Sequence, residues 1–542
     1  MSPRRRVLLS AISSILLHTV LALPVYAQFY DAARGSLGFS LDAIERSPRL
    51  LGMGGMTFVG DDPHTAISLW DFAASPLGIL EADSANTAEF YPATSSFSQV
   101  HDLPSDSGTI ERQDRAARET RIACEVWRRT GGKSAYGVAG DLGSLRMDQV
   151  FSETVERRST FSQPMIMPVL MGHMPYVKSS RWLYSVRLFY SGETAENQYR
   201  GLSENSKGQY IDRTAPELDP PEFFTPTDFK VRSTGGGLGV AYDRGRAFKA
   251  AVNMDIVRNA IQGKNESARR CARNDEMRPY HTTQATTVGR LGRSLEWGVD
   301  SRDWRSRSEE RWFFSLSAGA GGDPLVGRGK LLEREERGRA LRTRLRWTRG
   351  PFELGGGLAT DYRRIAVMPP GLDDLTSFNH FRNTTSYRPN ADSLALPDSA
   401  VFNQSEERTW EVGGGLAMRL PGARGSWGVE YRRLQGLVEQ TVSGQGPLRK
   451  GWDLRTGIEY RCTPAMTGRI GYAHRWEDRD DYTRQNEYLA NIVTLGLGLR
   501  PTGATWTFEV GYAIEWLQAD YGTPTEPRSS RQQLASMVRW VL

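Results

Sequence analysis

The 542-residue chain is poor in cysteine, in histidine and in long apolar runs. Its three cysteines, Cys124, Cys271 and Cys462, are too few and too widely spaced for a disulfide scaffold, and no CxxC pair or Cys/His zinc spacing occurs. Beyond the extreme N-terminus there is no stretch of ~20 apolar residues. With a mean hydropathy of −0.49, that excludes a multi-helix membrane protein. His64, His101, His173, His281, His380 and His474 are the histidines beyond the first 27 residues. None stands at a recognisable spacing from a Ser or acidic partner, so neither an enzyme nor a metal or cofactor site is expected. The formal charge of +6 is small for a chain of this length and excludes a nucleic-acid partner. What the chain does have is aromatic residues, including 14 Trp, which argue against disorder.

Residues 1–27 read as a secretory signal peptide. Arg4, Arg5 and Arg6 form a basic start, an apolar run extends from Val7 to Leu23, and Val25, Tyr26 and Ala27 offer a small-residue cleavage site. Removing three Arg from 69 basic residues leaves 66 against 63 acids, a formal charge of +3.

The dominant pattern is a period of two. Along 505–516, Trp506, Phe508, Val510, Tyr512, Ile514 and Trp516 share one face, while Thr507, Glu509, Gly511 and Glu515 share the other. Successive side chains of a strand point to opposite faces, so this is a strand. It is long enough to cross a bilayer at the tilt that needs ~9–11 residues. The same alternation marks 182–190, 248–256, 341–347, 410–420 and 452–460. Aromatics sit at the ends of the apolar faces, as interface belts require. The opposite faces carry Gly and charge, among them Arg342, Arg344, Arg346, Arg455 and Glu459, which are expected to face a polar lumen.

Connections alternate in length. Short Gly/Pro-rich turns at 130–133, 243–246, 421–425, 463–467 and 501–504 join strands in pairs. Longer polar loops are expected at 192–229, 259–284, 363–408, 435–450, 477–490 and 517–532, with 142–164 and 285–320 ambiguous. This asymmetry is that of an outer-membrane barrel. The fold class is therefore all-β: a transmembrane antiparallel up-and-down β-barrel over residues 86–542, of 14–18 strands, even in number. A walk along the chain reaches 18. Val538, Trp540 and Leu542 share the outer face of the last strand. The triplets Gly235–Gly237, Gly355–Gly357 and Gly413–Gly415 lie inside alternating strands without a following helix, so they are strand bends or close approaches rather than phosphate loops.

Residues 28–85 do not alternate. They contain Arg49, then Leu51, Gly52, Met53, Gly54 and Gly55, the acidic pair Asp61 and Asp62, Ala66, then Trp70, Asp71 and Ala73. In that order these resemble the N-terminal region of the FadL family of outer-membrane transporters and their PorV-like relatives. The family has Asn-Pro where this chain has Asp71 and Phe72. The resemblance implies that 28–85 form a hatch inside the barrel. For FadL-type members it implies passive uptake of small hydrophobic, fatty-acid-like molecules; for PorV-like members, a barrel that scaffolds or shuttles secreted proteins with a secretion system. Independently of family, Asp61, Asp62 and Asp71 are candidates to pair with Arg342, Arg344 and Arg346 of the wall.

The expected function is thus hydrophobic uptake through a hatch-plugged lumen in the outer membrane of a Gram-negative-type bacterium. Outer-membrane lipid, a hydrophobic ligand and a secretion-system component are the expected partners, and a polar porin is the remaining alternative. The lumen discriminates. A continuous apolar tunnel favours uptake, a wide aqueous pore favours a porin, and a lumen filled with charge pairs favours a scaffold.

Overall fold

The computed structural model describes residues 48–56, 86–104, 110–130, 134–152, 155–174, 181–204, 210–212, 228–245, 247–266, 270–292, 294–316, 325–368, 403–440, 444–481, 484–520 and 528–541. The leader 1–27 and most of 28–85, with Asp61, Asp62, Trp70 and Asp71, lie outside the described residues.

Among the described residues, eighteen long strands form one closed antiparallel sheet. They are β1 (Asn86–Pro104), β2 (Ile110–Thr130), β3 (Ser134–Ser152), β4 (Val155–His173), β5 (Trp182–Glu204) and β6 (Asp228–Asp243). Next come β7 (Phe248–Glu266), β8 (Arg270–Leu291), β9 (Leu295–Leu316), β10 (Leu325–Arg349), β11 (Phe352–Met368) and β12 (Asn403–Arg419). The circuit ends with β13 (Gly425–Gln440), β14 (Gly444–Thr463), β15 (Met466–Asp481), β16 (Arg484–Leu499), β17 (Trp506–Asp520) and β18 (Arg528–Val541). Each pairs with its sequence neighbours, and β1 pairs with both β2 and β18, so no edge is left open. A short ladder, Tyr210–Asp212, extends β5.

The alternation decides which face is which. Val138, Leu142, Ile166, Leu238, Met254, Leu345, Ile470 and Leu495 are exposed on the outside. The opposite face of the sheet carries buried Glu89, Glu125, Arg187, Glu430, Arg455 and Arg469. An apolar outside over a polar inside is what a bilayer and a lumen stabilise, since water would disfavour so much exposed apolar surface. No described helix is long and apolar enough to cross a membrane.

Short turns form at the expected 243–246, 421–425, 463–467 and 501–504, with Gly245, Gly422 and Gly503 at positive φ; two more, at Gly292 and Gly350, were not expected, and 131–133 lie outside the described residues. Three expected loops are instead mostly strand. Only three residues separate β7 from β8 and β13 from β14, and two separate β15 from β16. The ambiguous 142–164 is likewise the top of β3 and β4, which are two residues apart. These strand ends rise above the apolar band, where neither face needs to be apolar, so the period-two contrast disappears while backbone pairing continues.

The glycine triplets are internal to β6, β11 and β12, and Gly355–Gly357 pair directly with Gly413–Gly415. In β6 the reason is local. A Cβ on Gly237 would collide with Asp255 Oδ1 and lie 2.7 Å from Arg187 Nε. The glycine thus leaves room for the lumenal Arg187–Asp255 ion pair, at 2.5 Å. Replacing Gly237 by Val is expected to destabilise the barrel by about 1–3 kcal/mol, the usual cost of overpacking. The midpoint of denaturant unfolding should fall with an unchanged slope.

Candidate functional site: the lumenal wall and residues 48–56

Residues 48–56 lie on the polar face of the wall. Pro48–Gly52 form one helical turn, α1, and Met53–Met56 follow as a tight turn in which Gly54 and Gly55 have φ of 78° and 72°. Such backbone is accessible to glycine at little cost. Leu51, Met53 and Met56 are buried. Leu51 packs with Ala513 and Ala535, and Met53 and Met56 pack with Ala417.

The wall under this segment is cut away by glycine. Gly457, Gly471, Gly496 and Gly511 occupy inward positions on four successive strands, β14 to β17. A Cβ on Gly457 would strike Met53 O, one on Gly471 would strike Gly54 N, and one on Gly511 would strike Pro48 O. A Cβ on Gly52 would lie 2.8 Å from Gly496 Cα. Backbone therefore touches backbone along a diagonal of the wall. The Gly54 amide donates to Thr494 Oγ1 at 3.0 Å.

Charge completes the seat. Arg49 donates two hydrogen bonds to Glu459, from Nε at 2.8 Å and from Nη2 at 3.0 Å. Glu459 also accepts from Arg469 Nε at 2.7 Å, and Arg469 Nη2 reaches Glu509 at 3.3 Å. Arg455, held by Asp453 at 2.8 Å, donates to the Gly55 carbonyl, as does Arg432 at 3.4 Å. These charge-assisted bonds are among the stronger ones available to a protein.

Of the sequence-derived residues, the structure brings together Arg49, Leu51, Gly52, Met53, Gly54, Gly55, Arg455 and Glu459. Arg342, Arg344 and Arg346 stand elsewhere, on β10. Arg346 is engaged by wall carboxylates, Glu353 at 2.9 Å and Glu296 at 3.8 Å. Their expected acidic partners Asp61, Asp62 and Asp71 lie outside the described residues. Sequence reading put Gly457, Glu509 and Gly511 on the polar face without giving them a role, and missed Gly471, Gly496, Thr494 and Arg469. The available signal was one inward Gly beside a charged residue two positions away in β14, β15 and β17.

A second lumenal surface is apolar. Trp127 of β2, Ala135 and Ala139 of β3, Met167, Val169 and Met171 of β4, Phe189 of β5, Val257 of β7 and Tyr280 of β8 form one buried cluster. Met165 and Trp304 pack against it. Elsewhere inward charges pair across neighbouring strands, as in Arg121–Asp141 and Arg363–Glu336, or along one strand, as in Arg278–Glu276. The histidines form no catalytic set among the described residues. His474 faces outward beside Trp452 and hydrogen-bonds Asn491 at 2.8 Å.

No family model and no curated protein matches the chain. Among solved structures it is similar to the ferric yersiniabactin uptake receptor FyuA from Yersinia pestis, at 8% identity and a TM-score of 0.41, over 85% of this chain and 80% of that one. It is also similar to a Pseudomonas aeruginosa FadL homologue, at 11% and 0.35 over 91% and 98%. A third is the P. putida toluene transporter TodX, at 11% and 0.33 over 90% and 96%. Likeness at this level decides neither substrate nor mechanism, so function is argued from the chain's own residues.

Proposed function

We propose that the protein is an outer-membrane channel for passive uptake of small hydrophobic molecules, and that residues 48–56 belong to a hatch that closes its lumen. The observation that carries this reading is the apolar cluster on the lumenal wall. A water-filled porin has no use for Trp127, Phe189 and four consecutive inward positions filled by Met165, Met167, Val169 and Met171. Methionine side chains are flexible and polarisable, which suits varied apolar ligands. Beside this path, Arg121, Arg187 and Arg278 are already paired with Asp141, Asp255 and Glu276, so a passing ligand need not desolvate those charges.

A reconstituted barrel should admit a fluorescent long-chain fatty acid into liposomes faster than it admits a small sugar. Met167→Arg or Met171→Arg should slow fatty-acid entry by about tenfold or more, because the ligand then meets a charge in an apolar contact. Met171→Ala should have a smaller effect and controls for folding. Equal entry of sugar and fatty acid, or indifference to both Arg variants, would sink the uptake reading. The abundance of charge pairs favours the second reading, a non-transporting barrel that scaffolds or shuttles secreted proteins. A stoichiometric protein partner in native mass spectrometry, with no fatty-acid entry, would support that instead.

A further inference from the structure

The outside of the barrel carries a feature that neither uptake nor a hatch explains. On β9, β10 and β11, Arg305, Arg337 and Arg364 occupy directly opposed positions: Arg305 pairs in register with Arg337, and Arg337 with Arg364. One row closer to the short turns stand Asp303, Arg339, Tyr362 and Arg408, again in direct register across β9 to β12. All share the parity of the outer apolar positions, Leu341 and Leu345 on β10, Leu358 on β11 and Val412 on β12. They therefore face away from the lumen.

Like charges placed directly opposite across a ladder destabilise it unless something compensates. Carboxylates on the same face supply compensation. Arg339 and Arg305 share Asp303, at 2.9 and 3.7 Å, and Arg364 and Arg408 share Glu406, at 3.7 and 3.1 Å. Arg337 pairs with Glu335. The side chains of Arg339, Arg305 and Arg408 remain 75%, 62% and 60% exposed.

Position gives these exposed guanidiniums a partner. The arginines lie just beyond the apolar band, on the side away from the short turns. Tyr362 and Trp410 mark the boundary, and Arg408 lies over the Tyr362 ring at 5.9 Å. Amphipathic rings sit at headgroup depth, and basic residues just beyond them meet lipid phosphates. The patch is entirely arginine, whose planar fork matches phosphate oxygens in pairs. Neighbouring strands are ~4.8 Å apart, so three adjacent guanidiniums span about 10 Å, enough for more than one phosphate group.

We propose that Arg305, Arg337 and Arg364, with Arg339 and Arg408, form a binding surface for the phosphorylated headgroup of an outer-leaflet lipid, whose chains lie against Leu341, Leu345, Leu358 and Val412. The site is independent of the lumen, and its success or failure leaves the uptake reading untouched.

The test uses the full detergent-solubilised barrel with bisphosphorylated lipid A as probe, and dephosphorylated lipid A and inorganic phosphate as comparisons. The triple variant R305Q/R337Q/R364Q should bind lipid A about a hundredfold more weakly than the unaltered protein, at roughly a kcal/mol lost per arginine. Its unfolding midpoint should not fall, since three like charges opposed across the ladder are removed together. Dephosphorylated lipid A should bind the unaltered protein about as weakly as lipid A binds the variant. Equal binding of lipid A by both proteins, or equal binding of its dephosphorylated form, overturns the proposal. Full competition by inorganic phosphate overturns the lipid as its source and reduces the patch to an anion site.

Discussion

Replacing Gly471 by Val is expected to unseat residues 48–56 and raise the ion conductance of the barrel in planar bilayers. The new Cβ would strike Gly54 N and come within 2.5 Å of Met53 C and 2.6 Å of Thr494 Oγ1. Two of these neighbours are backbone atoms, which cannot rotate away. Gly471 is itself held in the ladders of β15 with β14 and β16, so the wall cannot yield either. Overpacking of this kind costs about 1–3 kcal/mol. If that cost falls on the seated state alone, the unseated population rises about tenfold to a hundredfold. The barrel is not penalised, because Val is a favoured strand residue. Gly468→Val, on the outward face of the same strand, is the control: its Cβ would meet only Cys462 Sγ, at an ordinary 3.5 Å. If Gly471→Val and Gly468→Val conduct alike, residues 48–56 do not close the lumen.

The same glycines show how far the sequence could be read. Alternation in 452–460 and 505–516 assigned faces residue by residue, and the structure follows it: Trp452, Leu454 and Ile458 point out, while Asp453, Arg455 and Gly457 point in. Period two is local and survives without tertiary information. The seat is not local. Gly457 and Gly511 look like any strand glycine until Met53 and Pro48 are placed on them, several hundred residues away in sequence. Glu459 was legible as a lumenal charge, but nothing in its neighbourhood named Arg49 as its partner. The tops of β7 and β8 were misread for the opposite reason. There the local signal itself fades, because a strand above the bilayer is free to be polar on both faces. The apolar lumenal cluster was hidden differently: Met165, Met167, Val169 and Met171 alternate with outward Ile166, Pro168 and Leu170, so both faces of β4 are apolar and the alternation cancels.

Removing the Glu459 carboxylate should have a larger effect than removing the Arg49 guanidinium, although the two form one ion pair. Arg49→Ala leaves Glu459 with Arg469, so the wall keeps a satisfied pair and only the seat loosens. Glu459→Ala strips both arginines at once. Arg469 retains Glu509 at 3.3 Å, but Arg49 loses the carboxylate that its Nε and Nη2 reach. Deleting one partner of a buried pair costs about 3–5 kcal/mol, and the low end applies here because both side chains keep some exposure. Glu459→Ala is therefore expected to lower the unfolding midpoint and raise conductance together, whereas Arg49→Ala raises conductance alone. Charge exchange sharpens the distinction. In R49E/E459R the exchanged pair can re-form, yet the new arginine faces Arg469, and the like-charge contact should block full rescue. Adding R469E to that pair would remove the clash but set a second acid beside Glu509, so it should restore the closed state no better. A double-mutant cycle between Arg49 and Glu459, read from conductance, should give a coupling of about 1–3 kcal/mol. Added salt should change it little, since the pair is largely shielded from solvent. A coupling near zero would mean that the bond between Arg49 and Glu459 does not hold residues 48–56 in place.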